Sequence, residues 1–270
     1  MDEEIYAELA GRGPHDAALG HAFISLVEPH PGFELKYTRW YEDDHFYSGA
    51  MAFPWWFAGR RWLAPADLRA LRAASDRLAD LDKGWTLGTY WISAHRLAEQ
   101  ARWLEAAIPR LREQGRMFEQ RTHVMTGYFD LRAEWQRLGH QPRAIHSLDY
   151  PYKGLVLEIL DPRTKPGFHD WLRECFVPQH INDRGIAQCL WFGPLEWPGA
   201  GETSWFDYAS ANADRVLLVW LLEEDPRESW QITFREHLGA IEHAGLASLA
   251  FIGGFVPALP GTDRYLDEIR

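Results

Sequence analysis

The stretch HAFISLVEPHPGF, His21 to Phe33, returns in outline as KGLVLEILDPRTKPGF, Lys153 to Phe168. Each is an apolar run of β-forming residues closed by an acidic residue and proline, Glu28-Pro29 and Asp161-Pro162. Each is followed by Pro-Gly-Phe, Pro31-Gly32-Phe33 and Pro166-Gly167-Phe168. A strand that stops at a proline turn and passes into a helix reads this way. Finding it twice in one chain indicates an internal duplication, which changes the fold expected.

Working outward from the first copy, a strand at His21 to Val27 leads through the turn at Glu28 to Gly32 into a helix over Phe33 to Tyr47. There Phe33, Tyr37, Trp40, Tyr41 and Phe46 recur at helical spacing. A strand at Trp55 to Leu63 follows Pro54, then an extra helix at Ala66 to Leu81 with Leu68, Leu71, Leu78 and Leu81 on one stripe. A strand at Trp85 to Ile92, a helix from Ser93 as N-cap to Gln114, and a strand at Arg121 to Leu131 complete the half. Without the extra helix the order is that of a split βαβ, or ferredoxin-like, unit.

The second copy gives the same order: strand Lys153 to Leu160, helix to about Asn182, strand Ile186 to Phe192, an excursion over Gly193 to Ala213, strand Val216 to Leu222, helix Pro226 to Ala244, strand Leu246 to Val256. The connector His140 to Tyr152 is polar and holds two prolines, as a boundary between residues 1–140 and 153–270 should. A four-stranded sheet with helices on one face leaves its other face apolar, and the duplicate supplies the partner. The fold class expected is α+β: two tandem ferredoxin-like halves packed sheet to sheet as an intrachain α/β barrel.

The 270 residues suffice for a sizeable core, and 46% hydrophobic with 25% charged residues is the balance of a globular chain. The net charge of −11 has the wrong sign for a nucleic-acid partner. No apolar run approaches the ~18 residues of a membrane span, and the first twenty residues lack a basic segment followed by an apolar one. A cytoplasmic protein, monomer or homodimer, is expected. Cys175 and Cys189 suggest neither a disulfide framework nor a structural zinc site. Fourteen Trp, fourteen Phe and ten Tyr either fill the core or wall a cavity for a flat molecule.

Within the first half, Tyr37-x-x-Trp40-Tyr41-x-x-Asp44-His45, then Phe53-Pro54 and Gly59-Arg60-Arg61-Trp62, resembles the signature of EthD-like members of the dimeric α/β-barrel superfamily. The likeness covers about Ala22 to Leu63. The second half matches in strand order, Pro-Gly-Phe and Asp170-Trp171, but its His180 is displaced relative to Trp171. The resemblance implies a pocket between sheet and helices of one half that accepts aromatic, phenolic or polyketide-like molecules. The activities it implies include cofactor-free oxygenation, aldol cyclisation, dehydration, decarboxylation and isomerisation; a haem-binding branch also exists.

Candidate catalytic residues follow. His45 is the natural acid or base for a proton on a phenol or enol. Tyr41, four residues earlier, shares its helix face, whereas Asp44 points about 100° away. His21 and His123 lie in neighbouring strands; His21 shares a side with Phe23 and Ser25, and His123 with Met125 and Gly127. Trp40, Tyr90, Trp56, Phe23 and Tyr128 are expected to bind the substrate. One of Arg60 and Arg61, taken as Arg61, would grip a carboxylate while the other is exposed. No metal is expected, because no carboxylate or Cys completes a shell around His169 and His180; either could serve as the single axial ligand of a haem. Gly-rich phosphate loops, Gly-x-Ser-x-Gly and His-Glu-x-x-His are absent. The leading expectation is a cofactor-independent lyase, cyclase or isomerase acting on an aromatic small molecule. Its rivals are a cofactor-free monooxygenase, a non-catalytic binder of an apolar metabolite, and a haem protein.

Overall fold

The computed structural model describes residues 17–52, 55–75, 83–164, 166–195 and 214–269. In the first half, β1 (Leu19–Pro29) leads to α1 (Glu34–Trp40), which runs on as a π-helical segment (Tyr41–Ala50). Then come β2 (Trp56–Leu63), α2 (Ala66–Ala70), β3 (Ala73–Ala74), β4 (Thr86–Ser93), α3 (Leu97–Glu113) and β5 (Arg121–Gln136). The second half has β6 (Gly154–Pro162), α4 (Phe168–Trp171), a π turn (Leu172–Phe176), α5 (Val177–His180), β7 (Ile186–Pro194), β8 (Val216–Leu222), α6 (Pro226–Ser229), α7 (Thr233–Ala244) and β9 (Ala247–Pro257).

All strands belong to one sheet of order β2-β4-β1-β5-β7-β8-β6-β9-β3, and a β2–β9 pairing closes it into a ring. Within each half the order is second, third, first, fourth strand, which is the split βαβ order. The fourth strand of each half pairs with the second strand of the other. One junction is long, from Phe129↔Pro194 to Gln136↔Gln188; the other consists of Trp62↔Pro257 and Leu63↔Val256. The fold is therefore an α+β barrel closed within one chain. Among the described residues no helix is long and apolar enough to cross a membrane.

Alternation assigns the faces. Ala22, Ile24 and Leu26 of β1 point into the barrel, where Trp62, Leu87, Trp91, Phe129, Leu157, Phe192, Val219 and Phe255 fill the interior. A ring of eight strands is just wide enough to be filled by its side chains, so this interior is core. Phe23 and Val27 point outward beneath α1 and the π segment, against Tyr37, Tyr41, Trp56 and Tyr90. Strands covered on both faces need apolar residues at nearly every position, and β8, Val-Leu-Leu-Val-Trp-Leu-Leu, is buried throughout.

Several expectations need correction. The helix expected over 66–81 stops at Ala70, and Ala73–Ala74 pairs with Ile252 and Phe251 of β9; residues 76–82 lie outside the described residues. Ser93 is the last residue of β4, so it does not cap α3, which Arg96 precedes. β5 runs five residues past Leu131, because Ala133 to Gln136 pair with β7 of the other half. The helix expected over Pro226 to Ala244 is broken between Ser229 and Thr233. Of the excursion Gly193 to Ala213, residues 196–213 lie outside the described residues.

Candidate functional site

The site lies on the outer face of the first half, between the sheet and its covering helices. The π segment positions its central residue. In an α-helix, residue i+5 lies roughly 140° away from residue i, whereas i→i+5 bonding, seen in Met51 N–H to Phe46 O, brings the two together. Trp40 and His45 accordingly stack with ring centroids 4.3 Å apart and planes 19° apart. Tyr41 meets the same imidazole edge-on at 5.7 Å. Trp40 is itself fixed, its Nε1–H donating to Arg116 O at 2.7 Å and the Arg121 guanidinium lying over its ring at 4.9 Å.

His45 Nδ1 is buried without a hydrogen-bond partner among the described residues. Gly49 lies beneath it: a Cβ there would stand 2.7 Å from Nδ1. Gly49→Ala is expected to push the imidazole off Trp40 and cost about 1–3 kcal/mol, visible as a fall of several degrees in Tm.

A β-bulge brings in a second imidazole. Leu26 pairs with Met125 but Val27 pairs with His123, so residue 124 is extra, and Val124 and Met125 both pack into the barrel. His123 is thereby turned onto the helix side with Thr126, and not with Met125 and Gly127 as strict alternation predicts. Arg121 Nε–H donates to His123 Nε2 at 3.1 Å. Because a guanidinium only donates, that nitrogen accepts, the ring proton sits on Nδ1, and it is aimed at Thr126 Oγ1, 2.9 Å away. The Thr126 hydroxyl is in turn 2.7 Å from Ser25 Oγ.

Burial first, and then the Arg121 charge, push the pKa of His45 down to about 3; burial, Arg121 and His45 do the same to His123, also to about 3. Both rings are neutral at pH 7. The Tyr41 and Tyr90 hydroxyls hydrogen-bond each other, and burial raises the Tyr41 pKa well above that of an ordinary phenol. Tyr90 stacks on Trp56 at 4.5 Å, and Phe23 packs on Trp56 at 5.0 Å.

Together these groups enclose a chamber of about 80 Å³, with Leu104, Ile108 and Leu111 of α3 closing it from above. No carboxylate lines it, and Arg121 is its only permanent charge among the described residues. Met117, Arg121 and His123 also line an open vestibule of about 320 Å³, with Arg112, Phe118 and Glu119.

Of the residues that the sequence points to, His45, Tyr41, His123, Trp40, Tyr90, Trp56 and Phe23 line the chamber, as does Gly49; Arg121, Ser25 and Thr126 line it too without a sequence signal as site residues. Three expected residues do not line it. His21 shares the outer face but is held by Asp130, Nδ1 to Oδ1 3.1 Å. Tyr128 is buried under Phe23, with centroids 5.1 Å apart. Arg61 is buried against Glu42, NH2 to Oε1 2.8 Å, and borders a separate cavity behind Tyr41. Arg60 is not free either: it binds Tyr150 O at 2.7 Å and lies over Trp62. Asp44 pairs with Arg116, Oδ2 to Nε 3.1 Å, which lowers its pKa.

Neither expected haem ligand lines the chamber, the vestibule or the cavity behind Tyr41: His169 is exposed and packs on Trp191, and His180 is bound by Asp183 at 2.6 Å.

No protein-family model and no curated protein matches this chain. Solved structures do. A provisionally assigned chlorite dismutase is similar over 93% of this chain and 100% of its own, with TM-score 0.51 and 10% identity. A provisionally assigned monooxygenase of Fusobacterium nucleatum covers 90% and 94% at TM-score 0.48 and 11% identity. An anthrone oxidase-like protein covers 90% and 92% at TM-score 0.47 and 10% identity. At about one identical residue in ten, the likeness speaks for the fold alone.

Proposed function

We propose that the first-half chamber oxidises a phenolic or enolic aromatic molecule with O₂ and without a cofactor. The observation that carries this reading is the charge pattern: two neutral imidazoles, no carboxylate, and Arg121 as the single lining charge. Such a chamber favours an anion. A substrate oxyanion near Arg121 gains a charge-assisted hydrogen bond, and its negative charge raises the proton affinity of the neighbouring imidazoles. His45 takes the proton, contributing roughly 10² to 10⁴-fold in rate.

The deprotonated ring is then electron-rich enough to reduce O₂ directly. For a substrate with a reactive ring CH₂ the balance is R₂CH₂ + O₂ → R₂C=O + H₂O: the carbon loses two hydrogens and gains one oxygen, and the second oxygen leaves as water. Trp40, Trp56 and Tyr90 keep bulk water from the intermediate. The chamber admits only the reacting edge of such a molecule, leaving the remainder in the vestibule.

The lyase, cyclase and isomerase readings use the same imidazole, which takes a proton and returns it to the product without O₂; what sets them apart from oxidation is turnover in the absence of oxygen.

The test is oxygen uptake by the chelator-treated protein with a panel of hydroquinones, tricyclic phenols and phenolic acids. One O₂ consumed per product is expected, with kcat/KM down at least a hundredfold in His45→Ala and in Arg121→Met. Turnover under argon would restore the lyase reading; thermal stabilisation by a phenol with no turnover of any kind would leave a binding protein.

A further inference from the structure

Among the described residues of the second half, Phe168, Phe176, Trp191, Trp220 and Phe234 pack together between the sheet and its helices. Polar groups nevertheless converge there. His180 ends α5, Asp183 lies in the turn that follows, and His237 is in the middle of α7. His180 Nδ1 is 2.6 Å from Asp183 Oδ2, which is 4.0 Å from His237 Nε2, and the three donor atoms lie within 4.8 Å of one another.

Two features set this cluster apart from ordinary ion pairs. His237 is completely buried, and its Nε2, facing Asp183, has no hydrogen-bond partner among the described residues. Its other nitrogen is committed: Nδ1 lies 3.3 Å from Oε2 of Glu158, a fully buried carboxylate that also accepts Trp220 Nε1–H at 2.8 Å. A carboxylate behind an imidazole is the arrangement that fixes the tautomer and aims the free nitrogen at a metal.

We infer that His180, Asp183 and His237 form a binding site for a first-row divalent metal ion, with Glu158 positioning His237. Two imidazoles and one carboxylate suit Zn²⁺ and its transition-metal neighbours, and three protein ligands leave positions for water. Bonds of roughly 2.0–2.1 Å place ligand atoms about 3–3.5 Å apart, so the cluster needs movements of under ~1 Å, opening at His180–Asp183 and closing at His237. Asp183 is a quarter exposed, which gives the ion a way in. Asp183, three residues after His180, supplies a carboxylate that the pairing of His169 with His180 leaves out. The partner of His180 is His237, 57 positions along, and not His169. Counted from the phenylalanine of Pro-Gly-Phe, His180 also stands where His45 does, twelve residues on. The duplication thus places an imidazole at the same position in both halves.

The experiment is Co²⁺ and Zn²⁺ titration of the EDTA-treated full chain, read by the visible d–d bands of Co²⁺ and by Tm. One equivalent of Co²⁺ is expected to give bands that Zn²⁺ abolishes, with Tm raised by about 5 °C at a hundredfold excess of Zn²⁺ over its Kd. Asp183→Asn, on the partly exposed side, should fold normally and lose the bands. Glu158→Gln should keep one site but weaken it about 10–100-fold. No bands and no Tm change with 1 mM metal in the parent protein, or unchanged binding in Asp183→Asn, would overturn the inference. Because oxygen uptake is assayed in chelator, failure of this site and failure of the chamber chemistry are read separately.

Discussion

Taking the protein from pH 7 to pH 5 is expected to remove about 2–4 kcal/mol of folding stability, with the loss continuing toward pH 3. His45 and His123 have folded-state pKa values of about 3, against an ordinary value near 6.5. Between those limits the unfolded chain binds protons that the folded chain refuses, so stability is fully present above about pH 6.5 and falls as the pH drops. Each ring contributes at most about 1.4 kcal/mol per pH unit; both are partly accessible, so the range above is discounted for solvent screening. Asp44 and Glu223 act in the same direction at lower pH, since Arg116 and Arg137 hold their carboxyls below the usual range. Urea unfolding at pH 7, 6 and 5 checks this, and His123→Asn should flatten the slope by about half. A profile flat from pH 7 to 5 would overturn the assignment of two imidazoles held neutral by desolvation in the folded chain.

Glu42→Ala is expected to cost about 3–5 kcal/mol and lower Tm by about 10 °C. Both Glu42 and Arg61 are 5% exposed at the side chain. Glu42 accepts from Arg61 through one oxygen and from the Gly261 N–H, at 2.9 Å, through the other. Among the described residues Arg61 Nε and NH1 already have no hydrogen-bond partner, so removal of Glu42 leaves a buried cation with none there for any of its nitrogens. The Glu42→Leu, Arg61→Met double variant should recover most of the loss, because replacing both ions with apolar groups of similar size is often close to neutral. Thermal melts of the two variants decide this. Equal losses in both would mean that Tyr41, over which Arg61 sits at 5.3 Å, needs the guanidinium itself.

The fold was legible where the pattern is local. The repeated strand, proline and Pro-Gly-Phe set the duplication, and runs such as Val216 to Leu222 can be little other than strands covered on both sides. The chamber was partly legible: Trp40 and His45 stand in one aromatic pattern, although their spacing of five suits stacking only in a π segment, which composition does not announce. His123 was placed on the correct strand with the wrong neighbours, because a single extra residue at Val124 inverts the alternation. Arg121 begins its strand and looks like any surface arginine until the fold lays it over Trp40. The His180, Asp183, His237 and Glu158 cluster depends on residues up to 79 positions apart, beyond the reach of spacing arguments.

The two junctions of the barrel are of very different length, and this bears on how the molecule breathes. Seven paired positions clasp β5 to β7, but two clasp β2 to β9. The bracelet therefore has a weld and a hook. Transient opening begins at the hook, beside Trp62 and Val256, and amides there should exchange with solvent well before those along the weld. A fused pair of halves can loosen on that side without coming apart, a freedom that two separate subunits, parted at both junctions, would not have.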